Sequence, residues 1–275
     1  MADKSEWQGN SGETWAAQWR RTDRSFTRLT ERLLERTREF TFNDVLDVGC
    51  GAGELSMAIA RGRPDVTVTG VDVSPQLVEA ARERGGHLGN LRFVLCDAAE
   101  WSGDGDSAPD MLVSRHGVMF FDDPPAAFAN LARQAQPGAS LMFSCFREVP
   151  QNPFFTEILR LLPQRPEPGD PTAPGPFAFA DEDRVVPILR TGGWDHVAFE
   201  KFDFPMIAGA GENAVDEAVT YFSLIGPAAR VAAEMDDAAR QRFLDRVRDL
   251  CERNCREGIV ALPAAAWIVS AKKAP

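Results

Sequence analysis

The chain has 275 residues, 44% of them hydrophobic, five cysteines and a formal charge of −11. This apolar content suffices for one large α/β domain, and no apolar run is long enough to cross a bilayer. The acidic balance, without a Lys/Arg-rich stripe, argues against nucleic acid as a partner. The cysteines at 50, 96, 145, 251 and 255 lack the paired spacings of a zinc site, so no metal is expected.

The first residues, MADKSEWQGN, are polar and mixed in charge, without the apolar core of a secretory signal, so a cytoplasmic location is expected. Trp15, Trp19 and Asp23 recur every four residues, which predicts one helix face able to dock or to close over a ligand. Residues 20–38 interleave arginines with Leu29, Leu33 and Leu34 at helical spacing and read as an amphipathic helix with a solvated basic face.

At 45–48 a short apolar strand carries Asp47 and runs into Gly49, Gly51 and Gly53, after which a helix begins. The glycines remove side chains where a ligand must lie against backbone, and the helix N-terminus presents free N–H groups. A dinucleotide fingerprint needs its third glycine where Glu54 stands. Asp47 would repel a pyrophosphate but accepts hydrogen bonds from an ammonium, which favours a ligand with an amino-acid head.

A strand at 66–72 ends in Asp72, 19 residues after Gly53, where a carboxylate accepts from both hydroxyls of a ribose. A third, 91–96, runs into Asp97 and Ala98, an acid and a backbone N–H that match the edge of an adenine. Amino acid, ribose and adenine in that order describe S-adenosylmethionine.

A fourth strand is expected at 111–114, then a helix at 124–136 with Asp123 as N-cap and Pro124 in its first turn, then a strand at 140–146. The prolines of 149–180 predict a loop around one short helix, 154–162. A helix at 181–190, stopped by Gly192 and Gly193, leads to strands at 196–204 and 267–271. Between these two strands, Val215, Val219, Phe222 and Leu224, then Phe243, Val247 and Leu250, fall at helical spacing. Strands alternating with helices imply a parallel sheet covered on both faces.

VLDVGCGAGELS, GVDVSPQLVEAAR and FVLCDAAEW, in that order, resemble the three cofactor motifs of the class I S-adenosylmethionine-dependent methyltransferases over residues 44–146. LVSRHGVMFFDDP, PGPFAFAD and ALPAAAWIVSA further resemble a bacterial subgroup acting on small molecules. The resemblance implies a Rossmann-like, seven-stranded, mostly parallel sheet in a single domain. An N-terminal helical lid at 1–42, a cofactor core at 43–148, the proline-rich loop at 149–180 and a helical cap at 206–262 would complete it. It implies that Asp47, Gly49, Cys50, Gly51 and Gly53 hold the methionyl part, Asp72 and Val73 the ribose, and Asp97 and Ala98 the adenine. Leu77, Ser114 and Trp19 are expected to complete the cofactor wall.

Methyl transfer is an in-line displacement, so nucleophile, methyl and sulfur must be aligned and an alcohol or acidic carbon must be deprotonated. In the resembled fold the loop at 114–121 faces the methyl group. His116 lies there, where the subgroup usually carries Phe, and its ordinary pKa suits a general base or a group that orients the substrate. Phe120 and Tyr221 are expected against the substrate, a small or medium organic acceptor or short peptide methylated at oxygen, nitrogen or carbon. A nucleotide-dependent oxidoreductase is opposed by Asp47 and the missing glycine; a protein that binds the cofactor without transferring its methyl shares every motif.

Overall fold

The computed structural model describes residues 4–103, 108–164, 167 and 169–274. Residues 1–3 of the expected lid and 165, 166 and 168 of the proline-rich loop lie outside the described residues. The chain opens with α1 (Lys4–Gln8), α2 (Asn10–Ala17) and α3 (Trp19–Thr37). Leu29 and Leu33 of α3 are fully buried, while its arginines face acids, Arg32 pairing with both Glu35 and Glu200. The single face expected for Trp15, Trp19 and Asp23 does not form, because the backbone breaks at Gln18 and leaves Trp15 on α2 and Trp19 on α3.

The core follows as β1 (Asp44–Val48), α4 (Glu54–Gly62), β2 (Thr67–Asp72), α5 (Pro75–Gly85), β3 (Leu91–Leu95), β4 (Met111–Arg115), α6 (Pro124–Gln134) and β5 (Ser140–Phe146). Every residue of β5 is buried and β1 and β4 are nearly so, as continuous apolar runs between two helical layers require. Ser74 accepts from the Leu77 N–H at 3.3 Å to start α5, and Asp123 accepts from the Ala126 N–H at 3.0 Å to start α6.

The remainder comprises α7 (Pro153–Arg160), α8 (Glu182–Thr191), β6 (Trp194–Ala210), α9 (Ala214–Leu224), α10 (Pro227–Ala233), α11 (Asp237–Arg253), β7 (Cys255–Arg256) and β8 (Ile259–Lys273). The sheet order is β3-β2-β1-β4-β5-β8-β6, parallel through β5, with β8 antiparallel to both its neighbours and the short β7 added to β8. The order reverses between β1 and β4, so a crevice opens where the loops after these two strands diverge.

The last two strands are much longer than expected and form a ribbon beyond the sheet. Pro205 lies opposite Pro263, and a pair without N–H groups is tolerated as a non-hydrogen-bonded pair of the ladder. The helices α9 to α11 therefore lie within 214–253, inside the wider segment expected as a cap. A Cβ on Gly209 would lie 1.9 Å from the Ala214 carbonyl oxygen, so this glycine lets α9 sit directly on β6.

Candidate active site

The loop after β1 is left-handed at all three glycines, with φ of 67° at Gly49, 56° at Gly51 and 85° at Gly53. They serve different ends. A Cβ on Gly49 would come within 2.8 Å of Gly117 Cα, so the loops after β1 and β4 touch backbone to backbone at the switch point. A Cβ on Gly51 would meet nothing within 4 Å, leaving its space open to a ligand. On Gly53 it would strike the Phe93 ring at 2.6 Å, which makes that glycine a packing requirement beneath the loop. Ser114 joins the two loops, donating to the Val48 carbonyl at 2.6 Å and accepting from the Gly117 N–H at 3.1 Å.

Three acids stand at the strand ends. Asp47 is buried; its Oδ2 accepts from the Ser56 hydroxyl at 2.5 Å, and its Oδ1 has no partner among the described residues. Burial pushes this carboxyl up to about 6, against the opposing pull of Ser56 and Arg115. Asp72 accepts from the N–H groups of Gly51 and Ser74, each at 2.9 Å, and burial raises it too. Asp97 accepts from the Ala99 N–H at 2.8 Å and from Lys4 of α1 at 2.5 Å.

A cavity of about 1620 Å³ joins these groups to the helices above. Of the residues expected at the cofactor, Asp47, Gly49, Cys50, Gly51, Asp72, Val73, Leu77, Asp97 and Ala98 line it. So do His116, Phe120 and Tyr221. Gly53, Ser114 and Trp19 do not: the first two are spent on loop packing as described, and Trp19 is half-buried between Arg20 and Arg84, whose guanidinium carbons lie 4.2 and 3.7 Å from its ring centre. In place of Trp19, the N-terminal segment contributes Trp7, which meets Trp15 at 5.3 Å and Phe120 at 5.1 Å, edge to face.

His116 adopts a left-handed backbone, φ 63°, immediately before Gly117. Its ring stacks on Phe146 at 4.1 Å and meets Phe26 edge-on at 5.3 Å. Nδ1 lies 3.4 Å from the Ser144 hydroxyl, and Nε2 has no partner among the described residues. Burial, reinforced by the neighbouring Arg115 cation, lowers its pKa to about 3. The ordinary pKa that suits a base near neutrality is therefore not retained, and the ring is uncharged at physiological pH. Tyr221 is buried as well, and burial pushes its phenol up to about 12.

Arg115, unremarked in the sequence, is a buried cation on the cavity wall. It donates to Thr30 at 2.8 Å and pairs with Glu54 and, at 3.5 Å, with Asp23, which in turn holds Arg84 at 2.6 Å. A lone arginine ending the apolar strand MLVSR was the available signal. Nothing in the N-terminal segment announced Lys4 or Trp7.

A methyltransferase-domain family model matches residues 45–138. The trans-aconitate 2-methyltransferase of Paracidovorax citrulli is 29% identical over 199 residues, 70% of this chain and 74% of that protein. A malonyl-[acyl-carrier protein] O-methyltransferase from a Paenibacillus species is 27% identical over 123 residues, 43% of this chain and 45% of its own length. Among solved structures, the phosphoethanolamine N-methyltransferase 2 of Haemonchus contortus in complex with S-adenosyl-L-methionine is similar at TM-score 0.57 and 15% identity, covering 100% of this chain and 61% of that one; this likeness speaks to the fold. A methyltransferase domain is thus matched over the strands and loops that carry the three acids, and these likenesses support a class I S-adenosylmethionine-dependent methyltransferase.

Proposed function

We propose that the chain methylates an oxygen that is already ionised when it binds, and that His116 holds this oxygen as a neutral hydrogen-bond donor. S-adenosylmethionine, when bound, supplies a sulfonium methyl open to displacement by an aligned nucleophile. The unpartnered Oδ1 of Asp47 fits its ammonium, since a buried acceptor without a donor is costly until one arrives. The open space over Gly51 fits a chain laid against backbone, with Cys50 beside it. Asp72 and Val73 would take the ribose, Asp97 and Ala98 the adenine, with Leu77 behind them; each carboxylate oxygen already accepting one N–H keeps a further lone pair.

The observation that carries the reading is His116, held neutral by burial, with Nε2 unpartnered. Ser144 places its hydroxyl 3.4 Å from Nδ1, and we assign the serine as the donor of that hydrogen bond. That leaves the ring proton on Nε2, a donor that an anionic oxygen satisfies and that cannot also abstract a proton. A carboxylate or an acidic phenol needs no base. The names of the two relatives, trans-aconitate 2-methyltransferase and malonyl-[acyl-carrier protein] O-methyltransferase, describe methylation of acids and support the same choice. Phe120 and Tyr221 would flank the acceptor, with the N-terminal helices as lid and α9 to α11 as cap.

Rates of methyl transfer to a carboxylic acid, measured from pH 5.5 to 8.5, test this. The expected kcat is flat across the range, with His116→Gln retaining more activity than His116→Phe because only glutamine replaces the donor. A limb near pH 6 to 7 that vanishes in His116→Phe would instead make the histidine a base and overturn the proposal.

A further inference from the structure

The half of the cavity beyond His116 is built from phenylalanine. Phe146 stacks on His116 and is surrounded by Phe154 at 5.3 Å, Phe155 at 5.6 Å and Phe177 at 5.8 Å. Phe155 and Phe177 are themselves in contact at 4.9 Å, so the rings form one continuous wall from β5 through α7 to the proline-rich loop. Tyr221, Phe222 and Ile225 face the same cavity from α9 and the turn after it.

The charges that line the cavity lie elsewhere. Arg115 is committed to Asp23, Glu54 and Thr30, and Lys4 to Asp97 at the cofactor end. Arg230 pairs with Glu6, and Arg240, Glu167 and Asp170 are exposed, at the solvent edge. A ligand oxygen at His116 is thus followed by aromatic and aliphatic side chains, and a second or third carboxylate on the same small molecule would be buried among them without a partner. At about 1620 Å³ the cavity also exceeds the roughly 300–1,000 Å³ of ordinary ligand sites, leaving room beside a cofactor for a second bulky molecule.

We propose that the acceptor is a bulky aromatic or polycyclic molecule bearing a single ionised oxygen, and that small polycarboxylates are excluded. The proposal rests on the oxygen-methylation reading above and names the substrate class of that site. Flat rings find edge and face partners in Phe146, Phe155 and Phe177, while the anion is confined to the His116 end.

The test is calorimetric titration of the full chain, saturated with S-adenosylhomocysteine, with 2-naphthoate, 9-anthracenecarboxylate, 1-naphthylmethylamine and trans-aconitate, with turnover of each followed by mass spectrometry in S-adenosylmethionine. Both aromatic acids should bind at least tenfold more tightly than trans-aconitate, and Phe177→Glu should weaken them at least tenfold while Phe177→Leu weakens them less. Unchanged S-adenosylhomocysteine affinity shows that each variant is folded; should Phe177→Glu lose it, the comparison of wild type with Phe177→Leu carries the test. Trans-aconitate binding as tightly as the aromatic acids, or no aromatic probe binding at all, overturns the proposal while leaving oxygen methylation intact if an acid is methylated. Methylation of the naphthylmethylamine alone overturns the oxygen reading itself.

Discussion

Asp47 carries an unusual charge for so buried a carboxyl, with one oxygen unpartnered and its pKa raised to about 6. Between its ordinary 3.8 and about 6 the folded chain holds a proton that the unfolded chain has released. The stability this contributes is present below the lower value and is lost as pH rises through the upper one, leaving a penalty of the order of 2–3 kcal/mol at neutrality. Asp47→Asn should therefore raise the melting temperature of the ligand-free chain at pH 7.5, with the gain disappearing toward pH 4. The same substitution should weaken S-adenosylhomocysteine at least tenfold by calorimetry, because a neutral amide is a poorer partner for ammonium. His116 acts with the opposite slope. Its pKa falls from 6.5 to about 3, so its contribution is complete above 6.5 and declines as pH drops through that window, at up to about 1.4 kcal/mol per unit. The acid side of the melting profile should flatten in His116→Phe between pH 6 and 4.

Among the elements, the ribbon of β6 and β8 departs most from its local signals. The helical spacing of Val215 to Leu250 puts residues 206–210 and 259–262 inside the expected cap, and Pro205, Gly209 and Pro263 are poor strand residues. They are strand because the partner across the ladder supplies a register that tolerates two opposed prolines and one register shift between Ile207 and Gly209. Gly209 is the hinge of this arrangement, since α9 rests on its bare backbone. Gly209→Val should force α9 off the ribbon and lower stability by about 1–3 kcal/mol in urea unfolding, in the range of overpacked core sites. A loss under 0.5 kcal/mol would show that α9 is not seated there.

Across the whole molecule, the chain Arg84–Asp23–Arg115–Glu54 ties α3 to α5, β4 and α4 around the cavity. Arg115→Met removes the cation shared by Asp23 and Glu54 while Asp23 keeps Arg84, and should cost about 1–3 kcal/mol of stability measured by denaturant. The same network explains why part of the site was legible in the sequence and part was not. Gly51, Asp47, Asp72 and Asp97 sit at fixed distances from strand ends, so their places on the cavity wall follow from local spacing. Gly53 shares that spacing yet serves Phe93, and Trp19 shares the period of Trp15 yet lies off the cavity wall, because a backbone break at Gln18 and a ring from β3 decide each case.

By itself the sequence determined the parallel core, the strand-end positions of Asp47, Asp72 and Asp97 and the helix starts at Ser74 and Asp123, all of which depend on contacts within a strand, a loop and the next helix turn. Only the tertiary structure brought together the aromatic side of the cavity. Phe26, His116, Phe146, Phe155, Phe177 and Tyr221 come from six separate segments, and the burial that neutralises His116 exists only once all of them have closed around it.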